Sequence, residues 1–226
     1  MISKLWIALK GILGKTEPAD QKSRHFKTDA PEVAGLRLGG AIEIDPLMLK
    51  LIEPDLTIEG AASTQLIQAV GVVDLDGGST RLVRYYTDDD AYIQVLQEGT
   101  DEGGIIEISL WYFYDTKPID SQDRWDNLLK SDVVTESGKY DLDDTEYNAH
   151  WENTAPVCMT ETTYPLKGQS SSTDQFAMLY SRKVSDNMTE ELLVAGEEKE
   201  IGNNLDRSVV RTTGIQLKIS DFKVVA

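Results

Sequence analysis

The sequence predicts a strand-dominated α+β fold with few short helices. Three observations carry that expectation: four consecutive strand-like runs between Gln65 and Thr116, further strand-like pieces out to Ile219, and helical periodicity confined to short stretches. The four runs form a central antiparallel meander, and the remaining elements must cover it.

The chain opens on MISKLWIALKGILGK. On a helix, Ile2, Leu5, Trp6, Leu9, Ile12 and Leu13 share one stripe, while Lys4, Lys10 and Lys15 lie elsewhere and Ile7 is the apolar exception. This predicts a basic amphipathic helix over residues 1–15. Lys10 interrupts the apolar stretch and no small-residue cleavage site follows, so a signal peptide does not fit. Two readings stay open: a helix lying in a lipid surface, with Trp6 at headgroup depth, or a helix docked on the protein's own sheet. Residues 16–31 are polar and aperiodic and are read as a linker. Residues 32–226 are read as a single α+β domain.

Leu36–Gly40 leads into a short strand at Ala41–Ile44. Pro46–Leu51 is compatible with a helical turn or a strand, and Leu56–Ile58 reads as another short strand ended by Gly60. In the first meander run, Ile67, Ala69, Gly71, Val73 and Leu75 alternate with Gln68, Val70, Val72 and Asp74. Asp76-Gly77-Gly78 supplies a tight hairpin. The second run, Thr80–Thr87, places Arg81 and Arg84 on opposite faces. It ends at Asp88-Asp89-Asp90, read as an exposed turn because three adjacent carboxylates cannot be buried unpaired. The third puts Ala91, Ile93 and Val95 on one face. The fourth puts Ile106, Ile108, Leu110, Tyr112 and Tyr114 opposite Trp111 and Phe113, so its second half needs cover on both sides.

Beyond the meander, Ser121–Lys130 reads as a short helix with Trp125, Leu128 and Leu129 on one side and Asp120 or Ser121 as cap. Strands are expected at Thr145–Trp151, Thr160–Leu166, Phe176–Val184, Ser208–Thr213 and Ile215–Ile219. Gly168–Asp174 reads as a flexible loop, and Glu190–Glu200 as a stretch containing a helix weakened by Gly196.

The net charge of −17 argues against a general nucleic-acid binder, which needs a basic face. One cysteine, Cys158, excludes an intramolecular disulfide and fits a reducing cytoplasm. No apolar run reaches the roughly 18 residues of a membrane-spanning helix. Outside residues 1–15, nineteen basic residues face thirty-nine acidic ones, which opposes approach to anionic lipid. Fully extended, the linker reaches about 50 Å. That is far beyond a Debye length of about 8 Å, so it separates the helix from the acidic body.

No phosphate loop, nucleophile elbow, HExxH pair or dinucleotide turn occurs. His25 falls in the linker and His150 in a strand, both read as non-catalytic. Cys158 is read as a small buried hydrophobe in preference to a nucleophile served by His150. No catalytic, cofactor or metal residues are assigned. Asp74 and Asp76, with Glu98, Asp101 and Glu102, share one end of the meander, which keeps open an enzyme or metal-dependent module there. The acidity generically suits a binder of a cationic small molecule. Asp141–Glu152 imitates a calcium loop, but Glu146 stands where glycine is needed.

GLRLGG at Gly35–Gly40, QAVGVVDLDGGSTRLVRYYTDDDAYIQVL at Gln68–Leu96 and EISLWYFYDT at Glu107–Thr116 resemble the YjfK-like proteins, a bacterial family of unknown function. The resemblance implies a context: such proteins are often encoded near phage-shock-like membrane-associated coiled-coil proteins, small integral membrane proteins and ATP-grasp ligases. The resulting expectation is a non-enzymatic cytoplasmic adaptor at the inner membrane face, acting in envelope stress. Lys4, Leu5, Trp6, Leu9, Lys10, Ile12, Leu13 and Lys15 would contact an anionic membrane surface. Asp88, Asp89 and Asp90 would face a partner, such as a phage-shock-like membrane-associated protein.

Overall fold

A computed structural model describes residues 30–75, 79–100, 104–202 and 204–225. The basic N-terminal stripe, the linker through residue 29 with His25, the turn at 76–78, and Asp101 and Glu102 lie outside the described residues.

The meander forms as expected, from β2 (Thr64–Leu75), β3 (Thr80–Thr87), β4 (Ala91–Glu98) and β5 (Ile105–Ile119), all paired antiparallel. It is preceded by β1 (Ala41–Ile44) and α1 (Pro46–Ile52). It is followed by α2 (Gln122–Asn127), β6 (Lys139–Leu142), β7 (Thr145–Ala149), β8 (Val157–Pro165), β9 (Ser171–Ser185), β10 (Met188–Ile201), β11 (Asn204–Leu217) and β12 (Phe222–Val224).

The meander is part of a ring. β5 pairs with β11, then β10, β9 and β8 follow in turn, and β8 pairs with β2. Eight antiparallel strands therefore close on themselves, and a barrel of this size is just wide enough for its own side chains to fill. The cover needed over both faces of β5 comes from closure on the inside and from added elements outside.

Two outer cores flank the barrel. One packs Val70, Tyr85, Ile93 and Leu110 against Ile42 of β1 and Leu49 of α1. The other packs Met178, Tyr180, Leu192 and Val194 against Trp125 of α2 and Tyr147 of β7. Each fully buried aliphatic side chain contributes about 1.5–3 kcal/mol.

Bulges decide which core a residue joins. Ile67 pairs with Thr87 and Ala69 with Tyr86, leaving Gln68 extra. The alternation shifts there, so Ile67 joins the outer core with Val70, while Ala69 and Val73 turn into the barrel. Ile67 thus parts from the face that unbroken alternation assigned it. Ile106 is likewise bulged, and stays exposed while Ile108 and Leu110 are buried.

Other expectations change for identifiable reasons. Glu190–Glu200 is strand: Leu192 and Val194 face the second outer core while Ala195 faces the barrel, a period of two. Gly196 serves close packing, because a Cβ there would lie 3.1 Å from both Leu129 and Trp125. Ser171–Asp174, read as loop, is paired with β8. Leu56–Ile58 is not a strand, since Thr57 donates its N–H to Glu190. Ser208–Thr213 and Ile215–Leu217 are one strand through Gly214, where a side chain would overlap Trp111.

Pro46–Leu51 resolves as helix, capped by Asp45 Oδ1, which accepts from Leu47 N at 2.8 Å. Ser121 caps α2 as expected. The unanticipated β6 joins β7 through Asp143 and Asp144, with φ of 49° and 70°, the positive pair that a tight hairpin requires.

Candidate functional site

The neighbours of Arg84 decide where it points. Val83 and Tyr85 belong to an outer core, so alternation along β3 turns Leu82, Arg84 and Tyr86 into the barrel. Gly71 stands opposite Arg84. A methyl there would overlap Glu161 Oε1, so the missing side chain is the space the carboxylate occupies.

Arg84 and Glu161 retain only 3% and 2% of their exposure. Arg84 Nη1 donates to Glu161 Oε2 and to Gln175 Oε1, each at 2.9 Å, and Nε donates to Gln94 Oε1 at 2.9 Å. Tyr86 OH donates to Glu161 Oε1 at 2.7 Å. Gln175 Nε2 bridges two carboxylates, donating to Glu161 Oε2 at 3.1 Å and to Glu197 Oε1 at 2.9 Å. The guanidinium also lies over the Tyr92 ring, 5.6 Å from its centre. The aromatic cluster of Tyr86, Tyr92 and Trp111 lies to one side of this polar layer, and Val73, Met159 and Ala177 lie to the other.

Burial alone would pull Arg84 down, and the Glu161 carboxylate together with Tyr86 and Tyr92 more than reverses this, so the guanidinium is held charged. Burial, then Glu161, pushes Tyr86 well above its ordinary value. Tyr92 is pushed up to about 12, chiefly by burial. Glu197 is raised to about 7, first by burial and then by repulsion from Glu161. Beside Glu197, Arg84, Tyr92 and Thr212 lies a cavity of about 10 Å³. That is room for about one water molecule. The arrangement can hold a proton and a water, and it has no space for an organic substrate.

A second polar constellation sits outside the barrel. Glu190 is fully buried, and its Oε1 accepts from Thr57 N and Oγ1, each at 2.8 Å. Its Oε2 accepts from Tyr147 OH at 2.8 Å and Arg182 Nε at 2.7 Å. Arg182 Nη2 reaches on to Asp55 O at 2.7 Å. This clamp fastens the segment after α1 to β7, β9 and β10.

The residues singled out from sequence lie elsewhere. Asp88–Asp90 form the β3–β4 turn, but only Asp88 is exposed. Asp89 Oδ2 accepts from Ala62 N at 2.7 Å, Tyr112 OH at 2.9 Å and Gln65 Nε2 at 3.2 Å, so it works as an internal latch. Asp90 takes a positive φ of 52° at the turn. Asp74 stands opposite Arg81 in the β2–β3 ladder. Among the described residues, no three His, Cys, Asp or Glu side chains come together as a metal site. Cys158 is exposed, contrary to the buried hydrophobe expected. It pairs with Phe176, whereas His150 donates its N–H to Leu179 O. Those two β9 positions are about 10 Å apart along the strand, so the structure does not assemble a thiol–imidazole pair. No helix among the described residues is long and apolar enough to cross a membrane.

Arg84, Glu161, Gln175, Glu197, Glu190 and Arg182 were missed from sequence. The available signal was a charged residue at an inward position of a strand whose neighbours are sheet-forming and apolar, as Arg84 is between Val83 and Tyr85.

Comparison with known proteins places the fold in a lineage. A family model described as "Protein of unknown function (DUF2491)" matches residues 21–223. The chain belongs to this family. It is 28% identical over 186 residues to "Uncharacterized protein YjfK" of Escherichia coli (strain K12), a match covering 76% of this chain and 82% of that one. The resemblance carried by GLRLGG and the meander therefore holds. The family match begins after the basic stripe of residues 1–15. No solved structure matches the chain.

Proposed function

We propose that the protein is a non-enzymatic adaptor at the inner face of the membrane. One observation carries this reading: among the described residues the barrel interior is packed with its own side chains, and the cavity beside the Arg84–Glu161 layer measures about 10 Å³. Recognition then falls to the outer surface and to the N-terminal segment. The stripe of Leu5, Trp6, Leu9, Ile12 and Leu13, with Lys4, Lys10 and Lys15, suits an anionic lipid surface, where each lysine contributes about 1 kcal/mol. A polar stretch of sixteen residues, 16–31, is long enough when extended, at about 50 Å, for the acidic barrel to lie beyond the range of charge repulsion.

The β3–β4 turn is the proposed partner surface, with Asp88 as its solvent-facing carboxylate. The partner is a membrane-associated coiled-coil protein of the phage-shock type, and the setting is envelope stress. Asp89 supports this turn from within through its bonds to Ala62 and Tyr112.

Co-sedimentation with vesicles tests the membrane half. The full chain and a chain lacking residues 1–15 are each mixed with vesicles with and without anionic lipid. The expected result is pelleting that requires both the segment and the lipid charge, and that falls as salt is raised. If the full chain stays in the supernatant with anionic vesicles, the membrane reading is wrong.

A further inference from the structure

At the level of Arg84, the described barrel interior sets that one cation against two carboxylates, Glu161 and Glu197. Glu161 takes the guanidinium of Arg84 and the hydroxyl of Tyr86. Glu197 takes neither: the bond shown for it comes from the neutral amide of Gln175, which also bonds Glu161. With both carboxylates ionised, the layer around Arg84 would hold an uncompensated negative charge in a nearly sealed interior, which is strongly disfavoured.

We propose that Glu197 is a proton-binding site built into the barrel, protonated in the folded chain below neutral pH and ionised as the pH rises through neutrality, so that alkalinisation loosens the interior. The cavity lies against this side chain and has room for the water that an ionised carboxylate draws in. Glu197 keeps 9% of its exposure, which gives the proton a path to solvent.

The charged and titratable groups facing it are Arg84 and Tyr86 from β3, Tyr92 from β4 and Glu161 from β8, together with Lys199 two positions along β10. β9 contributes the Gln175 amide, while β5 and β11 line the cavity with Phe113, Val210 and Thr212. Lys199 favours ionisation, but its Nζ is bonded to Ser171 Oγ at 2.9 Å, and burial with repulsion from Glu161 outweighs it.

The folded group titrates at about 7 against an ordinary 4.5. The stability it contributes is therefore fully present below 4.5 and is lost as the pH rises through 7. Across that window one such group increases the unfolding constant by up to about tenfold per pH unit. Glu191, raised to about 7 by burial and then by Glu107, acts with the same sign and must be separated from it.

The test uses the full chain. Carboxyl carbon NMR of glutamate-labelled protein, with Glu197 assigned by its loss in Glu197→Gln, should give a midpoint near 7. A midpoint near 4.5 overturns the proposal. Urea unfolding from pH 5 to 8 should show the slope reduced by one proton in Glu197→Gln and the Glu197 contribution retained in Glu191→Gln. If Glu197→Gln keeps the full slope and Glu191→Gln removes it, the proton belongs to Glu191 and the proposal fails.

Discussion

Glu190 and Glu197 lie seven residues apart on β10, on opposite faces of the strand, and both are buried. Outside the barrel, Glu190 gathers a backbone N–H, two hydroxyls and the Arg182 guanidinium. Inside it, Glu197 has the shared amide of Gln175 and a second carboxylate nearby. Depth in the molecule is therefore a poor guide to what a buried acid does. The donors that the fold delivers decide whether it fastens two segments together or keeps a proton.

Substitutions at these centres sharpen the contrast. The largest effect is expected from Glu161→Ala, which strands the Arg84 cation in the barrel and should cost about 3–5 kcal/mol in urea unfolding. Glu190→Gln should cost about 1.5–3 kcal/mol, because it weakens charge-assisted bonds while Arg182 keeps a route to water at 22% side-chain exposure. A larger loss from Glu190→Gln than from Glu161→Ala would reverse the ranking of the two regions. The smallest change is expected from Glu197→Gln at low pH, where the native group is already neutral, with a gain in stability that grows as the pH rises from about 4.5 to about 7 and then levels off.

The same contrast explains what was legible in the sequence. The meander was readable because alternation, turn residues and β-branched or aromatic side chains agreed over Gln65–Thr116. Helix α2 was readable from Ser121 and the spacing of Trp125 and Leu128. The barrel was not, because closure depends on β8 pairing with β2 some ninety positions earlier, and no local pattern encodes a long-range partner. β10 was hidden by its glutamates: Glu190, Glu191, Glu197, Glu198 and Glu200 are good helix formers, and the stretch Glu190–Glu200 reads as containing a helix. Two of them are instead buried against partners from distant strands. Bulges at Gln68 and Ile106 then moved single residues between faces without leaving a composition signal.

The functional reading rests on a closed, self-filled barrel, so the decisive measurement is amide hydrogen exchange along β8. Glu161, Thr162 and Thr163 have register partners on both β2 and β9. Closure predicts that all three amides exchange as slowly as those of Val83 or Ile93 in the meander. Fast exchange confined to the amides directed at β2 would show an open seam there, and would contradict both the barrel and the sealed interior drawn from it.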